Sequence, residues 1–181
     1  IDCLKEAGAQ VRDVSVPCER IARGWPITCA VEAAHAHEAT YPARRGDYGP
    51  IADLLELGRS LPASAYLEQE IARRGFKATL DGIFQDVDLV ICPSMAYATV
   101  PREGSREADE VEQDLGRTLR YTAPFDYSGS PTISLPWKIG SNGVPLSVQL
   151  VARDFEEPLL VRTGAVLERL GGYGDNHPEI G

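Results

Sequence analysis

Val87-Asp88-Leu89-Val90-Ile91-Cys92, stopped by Pro93, is a short and almost continuous apolar run. Six residues are too few for a typical helix, and Val87, Val90 and Ile91 are β-branched, so the run reads as a strand. It lacks the alternation of a strand with one wet face, which predicts burial on both faces in a sheet covered by helices. Two further strands are expected downstream, Thr132-Ile133-Ser134-Leu135 and Leu146-Ser147-Val148-Gln149-Leu150-Val151. Asn142-Gly143 between them suits a turn that needs positive φ, so the two strands read as a hairpin or as near neighbours.

Around the strands the pattern is mostly helical. Ile1, Leu4 and Ala7 fall at helical spacing before Gly8. No N-cap precedes that apolar face, as in a helix entered partway along, and the expectation is a piece of something longer. Val11 to Val16 reads as a strand closed by Pro17. Residues 20–40 are Ala-rich and favour a helix, with Pro26 either kinking the pattern or marking its start. Ile51, Leu54, Leu55 and Leu57 give a short helix ending at Gly58, and Leu67, Ile71, Leu80, Ile83 and Phe84 form the stripe of a longer one. The stretch 101–115, with Glu103, Glu107, Asp109, Glu110, Glu112 and Asp114, reads as a solvated loop or short exposed helix. Glu156-Glu157-Pro158 then opens a last helix whose buried stripe is Leu160, Thr163, Leu167 and Leu170, with Gly171-Gly172 as its stop. Buried strands alternating with long helices point to a layered α/β architecture.

Composition limits the function. The 181 residues carry 18 Lys and Arg against 27 Asp and Glu, a net charge of -9. That balance leaves no cationic excess for a phosphate backbone, so no nucleic-acid partner is expected. No apolar run approaches the roughly 20 residues that span a bilayer, and none is expected to meet a membrane. The first residues lack the basic, apolar and small-residue order of a signal peptide, which favours a cytoplasmic location. Cys3, Cys18, Cys29 and Cys92 contain no C-x-x-C pair and read as four reduced thiols in or near the core.

The search for chemistry returns little. Neither G-x-x-x-x-G-K-[ST] nor G-x-G-x-x-G nor H-E-x-x-H occurs, and no cofactor or metal is expected. In Glu32-x-x-His35-x-His37-Glu38 the two histidines lie about 200° apart on a helix and cannot converge on one ion. Tyr127-Ser128-Gly129-Ser130-Pro131 is not a G-x-S-x-G elbow, because Asp126 stands where the first glycine belongs. Ser128 or Ser130 would need a base, for which Lys138 is the nearest candidate; a Gly-flanked bend ahead of a strand explains the segment without catalysis. Read from its residues alone, the chain holds no catalytic set.

One long segment resembles a known family. Tyr121-Thr122-Ala123-Pro124-Phe125-Asp126-Tyr127-Ser128-Gly129-Ser130-Pro131-Thr132-Ile133-Ser134-Leu135-Pro136, followed by Gly143-Val144-Pro145-Leu146-Ser147-Val148-Gln149-Leu150-Val151 and by Glu157, Leu159 and Leu160, is similar to the C-terminal part of the amidase signature family. The family pattern there is T-x-P-F/W-N-x-S/T-G-x-P-A-I-S-x-P, a loop, G-L-P-x-G-x-Q-L, an acidic residue and a pair of leucines. Upstream, Asp86 to Pro93 looks like the family's D-x-L-x-x-P-T strand. Glu32-Ala33-Ala34, Tyr41-Pro42 and the unit from Leu4 to Pro17 also look like family positions. The departures are Asp126 for the usual Asn, Thr132 for Ala, and Leu146-Ser147 for a V-G-like pair.

The resemblance implies an α/β/α fold with a mixed central sheet, of which residues 1–181 supply the C-terminal portion. It implies hydrolysis of a carboxylic amide by a serine nucleophile, with a second serine on a cis peptide, a lysine base and an oxyanion hole in a Gly/Ser-rich loop. Those groups belong to the family's N-terminal half, so no catalytic residue transfers to a position here. The implied partners are that N-terminal half and a small-molecule amide. Thr122, Phe125 and Asp126 are the candidate substrate-binding residues, because polar and aromatic groups cluster on the loop entering a core strand. Core packing for Phe125 and a turn cap for Asp126 are the alternatives. A reading of another class is a non-catalytic truncated homologue, a folding remnant or a binding protein; half a fold exposes apolar faces that also allow a homo-oligomer. A narrower reading is the amidotransferase subunit that charges tRNA, to which the acidic balance lends nothing.

Overall fold

The computed structural model describes residues 1–97, 115–140 and 143–172. Its sheet has three strands, β1 (Leu89–Pro93), β2 (Thr132–Ile139) and β3 (Pro145–Ala152), in the order β1-β3-β2. Both pairings are antiparallel, with Val90 opposite Val151 and Ile133 opposite Leu150. The expected hairpin is present: Gly140 N donates to Val144 O at 2.8 Å, and Gly143 adopts φ 78°, which its missing Cβ permits. Asn142 and the charged stretch from Glu103 to Asp114 lie outside the described residues.

Helices cover the sheet on both sides. On one side are α2 (Cys18–Ala36), α4 (Ala63–Ile83) and the short α6 (Ala123–Ser128), and on the other is α7 (Glu157–Gly171). The remaining described helices are α1 (Asp2–Glu6), α3 (Ile51–Ser60) and α5 (Leu115–Thr118). Alternation along the strands sorts the core: Val90 and Val151 join Ile21, Phe76, Leu80, Phe84, Phe125 and Tyr127 under α2, α4 and α6. Leu150 and Ala152 join Leu160 and Leu167 under α7, with Leu89, Ile91, Ile133 and Leu135 at the border. The run that opened the reading therefore feeds both cores, and the fold is α/β with a helical layer on each face of the sheet.

Several local expectations shift, each for a physical reason. Residues 11–16 form no strand; Val16 packs against the first core, but the segment pairs with none of the described strands. Helix α2 runs straight through Pro26, because burial of Ile21, Ala22, Thr28 and Ala30 along its length outweighs the one missing i→i−4 bond. Helix α3 continues past Gly58 to Ser60. A Cβ at Gly58 would stand 1.9 Å from the Ala30 carbonyl oxygen, so this glycine serves the close crossing of α2 and α3 rather than a helix stop. On α4 the buried stripe is Phe76, Leu80 and Phe84, whereas Leu67 and Ile71 are exposed; Ile71 is nine residues from Leu80, half a turn round the helix. On α7 the buried residues are Leu160, Gly164 and Leu167, and Leu170 is exposed.

Candidate active site

The candidate residues lie on α6 and the turn before it. Pro124 sits in the first turn, where its absent N–H costs nothing, and Gly129 closes the helix with φ 70° in the left-handed region. Gly129 N donates to Phe125 O at 3.0 Å and to Asp126 O at 3.3 Å. The glycine-flanked bend read from the sequence is thus a helix C-cap feeding β2.

Thr122 is half-buried and precedes the helix, donating from its hydroxyl to Leu119 O at 3.4 Å. Phe125 is 3% exposed and belongs to the core under α2 and α4. Asp126 is on the outer side, and partial withdrawal of its carboxyl from water pushes its pKa above the ordinary carboxylate value. Thr122 and Asp126 stand one helical turn apart, and Phe125 between them packs into the core.

Three contacts that the sequence did not announce hold this segment. Gln149 of β3, itself buried, donates from Nε2 to Tyr121 O at 2.8 Å. Arg73 of α4 donates from Nε to Tyr127 O at 2.6 Å, and its guanidinium lies 5.6 Å from the centre of the Tyr127 ring. The Tyr127 hydroxyl pairs with Thr28 Oγ1 of α2 at 2.7 Å. Nothing in a sequence pattern signals such bonds, because their partners stand 28, 54 and 99 positions apart.

The hydroxyls and thiols nearby are not activated. Ser128 Oγ donates to Phe125 O at 3.1 Å and pairs with Ser130 Oγ at 2.8 Å. Lys138 is six residues further along β2 than Thr132, about 20 Å at strand rise, too far to serve either serine as a base. Burial raises the thiols of Cys18 and Cys92 to about 11, and burial with Glu32 and Asp126 raises that of Cys29 to about 11, so all three remain protonated at neutral pH. His35 Nδ1 faces Glu38 at 3.6 Å while His37 Nδ1 faces the Tyr48 hydroxyl at 3.2 Å, so the two imidazoles serve different partners. Among the described residues no three His, Cys, Asp or Glu side chains converge. The helical layer under α2, α4 and α6 stops short of β2 among the described residues: Thr132, Ser134, Pro136 and Lys138 are exposed, and Ser94 Oγ donates to Ser134 Oγ at 3.3 Å.

The sequence pattern described as Amidase matches residues 1–161. The chain belongs to the amidase family. A Mycobacterium tuberculosis protein named "Putative amidase AmiD" is 38% identical over 152 residues, which cover 83% of this chain and 32% of that protein. A Pseudomonas putida protein named "Amidase" is 28% identical over 193 residues, covering 99% of this chain and 40% of that one. Among solved structures, one titled "Crystal structure of amidase" superposes with a TM-score of 0.78 at 24% identity, over 93% of this chain and 39% of that one. The 6-aminohexanoate cyclic dimer hydrolase gives the same TM-score at 22% identity, over 98% and 41%. These likenesses carry the α/β fold of amidase enzymes. The chain spans about a third to two-fifths of the length of the relatives it matches.

Proposed function

We propose that this chain is the C-terminal portion of an amidohydrolase that cleaves a carboxylic amide through a serine nucleophile supplied by the N-terminal half of the same amidase, on another chain or segment. In this reading the serine adds to the amide carbon, the amine leaves with a proton, and water releases the acyl group from the serine ester. Thr122, Phe125 and Asp126 form one wall of the acyl pocket, and the chain alone is inactive. The observation that carries this reading is the family match over residues 1–161, together with alignments that cover only 32% to 41% of the proteins this chain resembles. The hydrogen bonds of Ser128 to Phe125 O and to Ser130 Oγ, with no base beside them among the described residues, support the division of labour. Four free cysteines support a reducing, cytoplasmic setting.

Gel filtration with intact-mass analysis, followed by an amide-hydrolysis assay with a serine-directed inhibitor, tests the proposal. Co-elution with a Gly/Ser-rich second polypeptide, activity only in that complex, and label only on the second polypeptide are expected. Hydrolysis by this chain alone, with the inhibitor bound to it, would sink the reading. A stable lone monomer that never acquires activity favours the non-catalytic homologue. In the active complex, Asp126→Asn is expected to change the preference among amides more than the stability; an unchanged profile removes Asp126 from the pocket.

A further inference from the structure

We propose that Arg73 and Gln149 are positioning residues of the acyl pocket, which hold the backbone of residues 121–127 from its two ends. The inference rests on the reading that Thr122, Phe125 and Asp126 line that pocket, since all three lie between the two clamped carbonyls. Gln149 fixes Tyr121 O from β3, and Arg73 fixes Tyr127 O from α4. Besides these two backbone clamps, the Tyr127 hydroxyl pairs with Thr28 Oγ1 of α2, whereas the bonds of Thr122 to Leu119 O and of Ser128 to Phe125 O are local and move with the segment.

Both clamps stand on supports that cannot easily drift. Gln149 is 6% exposed and lies on the central strand, between β1 and β2. One turn beyond Arg73, Lys77 pairs with Asp154 at 2.7 Å and with Asp81 at 3.1 Å, which ties α4 to the turn between β3 and α7. The carbonyl that Arg73 takes is one of those a helix C-terminus leaves without an intrahelical partner. Its guanidinium does three things at once: Nε–H reaches Tyr127 O, Cζ lies over the Tyr127 ring 5.6 Å from its centre, and Nη1 stands 3.5 Å from Glu70 Oε1. That Glu70 oxygen is buried and has no hydrogen bond among the described residues, so the Arg73 charge is what it faces. A lysine can supply the charge but not a second donor in fixed geometry.

A cavity of about 390 Å³ beside the clamp, lined by Glu70, Arg73, Lys77, Tyr127 and Ser128, opens to solvent. Water can therefore reach Tyr127 O when Arg73 is replaced, and the expected result is a folded chain with a loosened pocket wall.

The test uses the active complex with Arg73→Lys, Gln149→Glu and, as a control for lost stability, Leu167→Ala in the opposite core. Arg73→Lys and Gln149→Glu are expected to raise KM and lower kcat/KM roughly 10- to 100-fold, the scale of a misplaced substrate wall. The rate of serine labelling by a small sulfonyl fluoride, which does not need the acyl wall, is expected to stay unchanged. Leu167→Ala is expected to lower Tm and leave KM alone. If the wild-type complex hydrolyses amides and both clamp variants keep its KM while losing Tm as Leu167→Ala does, the positioning role is overturned and the function reading stands. A wild-type complex without amidase activity overturns the function reading, and the positioning role falls with it.

Discussion

Leu150 and Val151 are neighbours on β3 and enter different cores. Leu150 joins Ala152, Leu160 and Leu167, a cluster whose buried members are all aliphatic. Val151 joins a cluster in which Phe76, Phe84, Phe125 and Tyr127 are buried, bordered by the buried polar groups Thr28 and Gln149. The aliphatic side under α7 asks only for volume and dryness, and a non-directional force supplies both. The aromatic side is also pinned by directional bonds to Tyr121 and Tyr127, and the candidate pocket lies on its rim. One sheet thus carries a face that stabilises and a face that also positions.

The largest test of that contrast is a pair of truncations. Phe84→Ala, at a fully buried site, is expected to cost about 4 kcal/mol and Leu160→Ala about 3 kcal/mol in urea unfolding. Because the two residues belong to separate clusters, the double variant is expected to be additive within about 0.5 kcal/mol. A coupling well above that would mean that the sheet transmits strain and the two faces are one core.

Next in size is Tyr127→Phe, which leaves the Thr28 hydroxyl buried without its 2.7 Å partner and is expected to cost about 1–2 kcal/mol. Amide exchange is expected to quicken in residues 125–129 and to stay unchanged in α7. Uniform quickening would erase the distinction between a positioning face and a merely stabilising one.

The smallest effect is electrostatic. Desolvation raises the Asp126 pKa, so the folded chain holds that proton more tightly than the unfolded chain does. The contribution of this group to stability therefore declines as pH rises from the ordinary carboxylate value through the raised folded one, and Asp126→Asn removes that slope. Urea midpoints taken across the acidic range read it directly; parallel curves for wild type and variant would place the carboxyl in bulk-like water.

Much of the fold was legible because apolar periodicity reports faces. Leu89 to Cys92 and the pair of downstream strands needed no partner to be recognised, and Gly143 marked the turn. Where a partner decides, the reading slipped. Val11, Val14 and Val16 have strand-like character but no neighbouring strand to bond, and Gly58 looked like a stop because its reason is the Ala30 carbonyl on another helix. The site was half legible for the same cause. Family likeness picked out the segment from Thr122 to Asp126, whereas no local pattern sets Arg73 apart, because its bond to Tyr127 O spans 54 positions.

The strand order has a kinetic consequence. Ile133 and Leu150 are 17 residues apart, but Val90 and Val151 are 61 apart. Closing the longer loop costs about 1 kcal/mol more chain entropy, so the β2–β3 hairpin has the head start and β1 arrives later. The helices that carry Thr28 and Arg73 precede β1 in the chain and dock against the same late-formed core. Pulse-labelled hydrogen exchange during refolding is expected to protect Leu150 before Val90. In such an order the aromatic face that holds residues 121–127 takes its shape after the aliphatic face has closed.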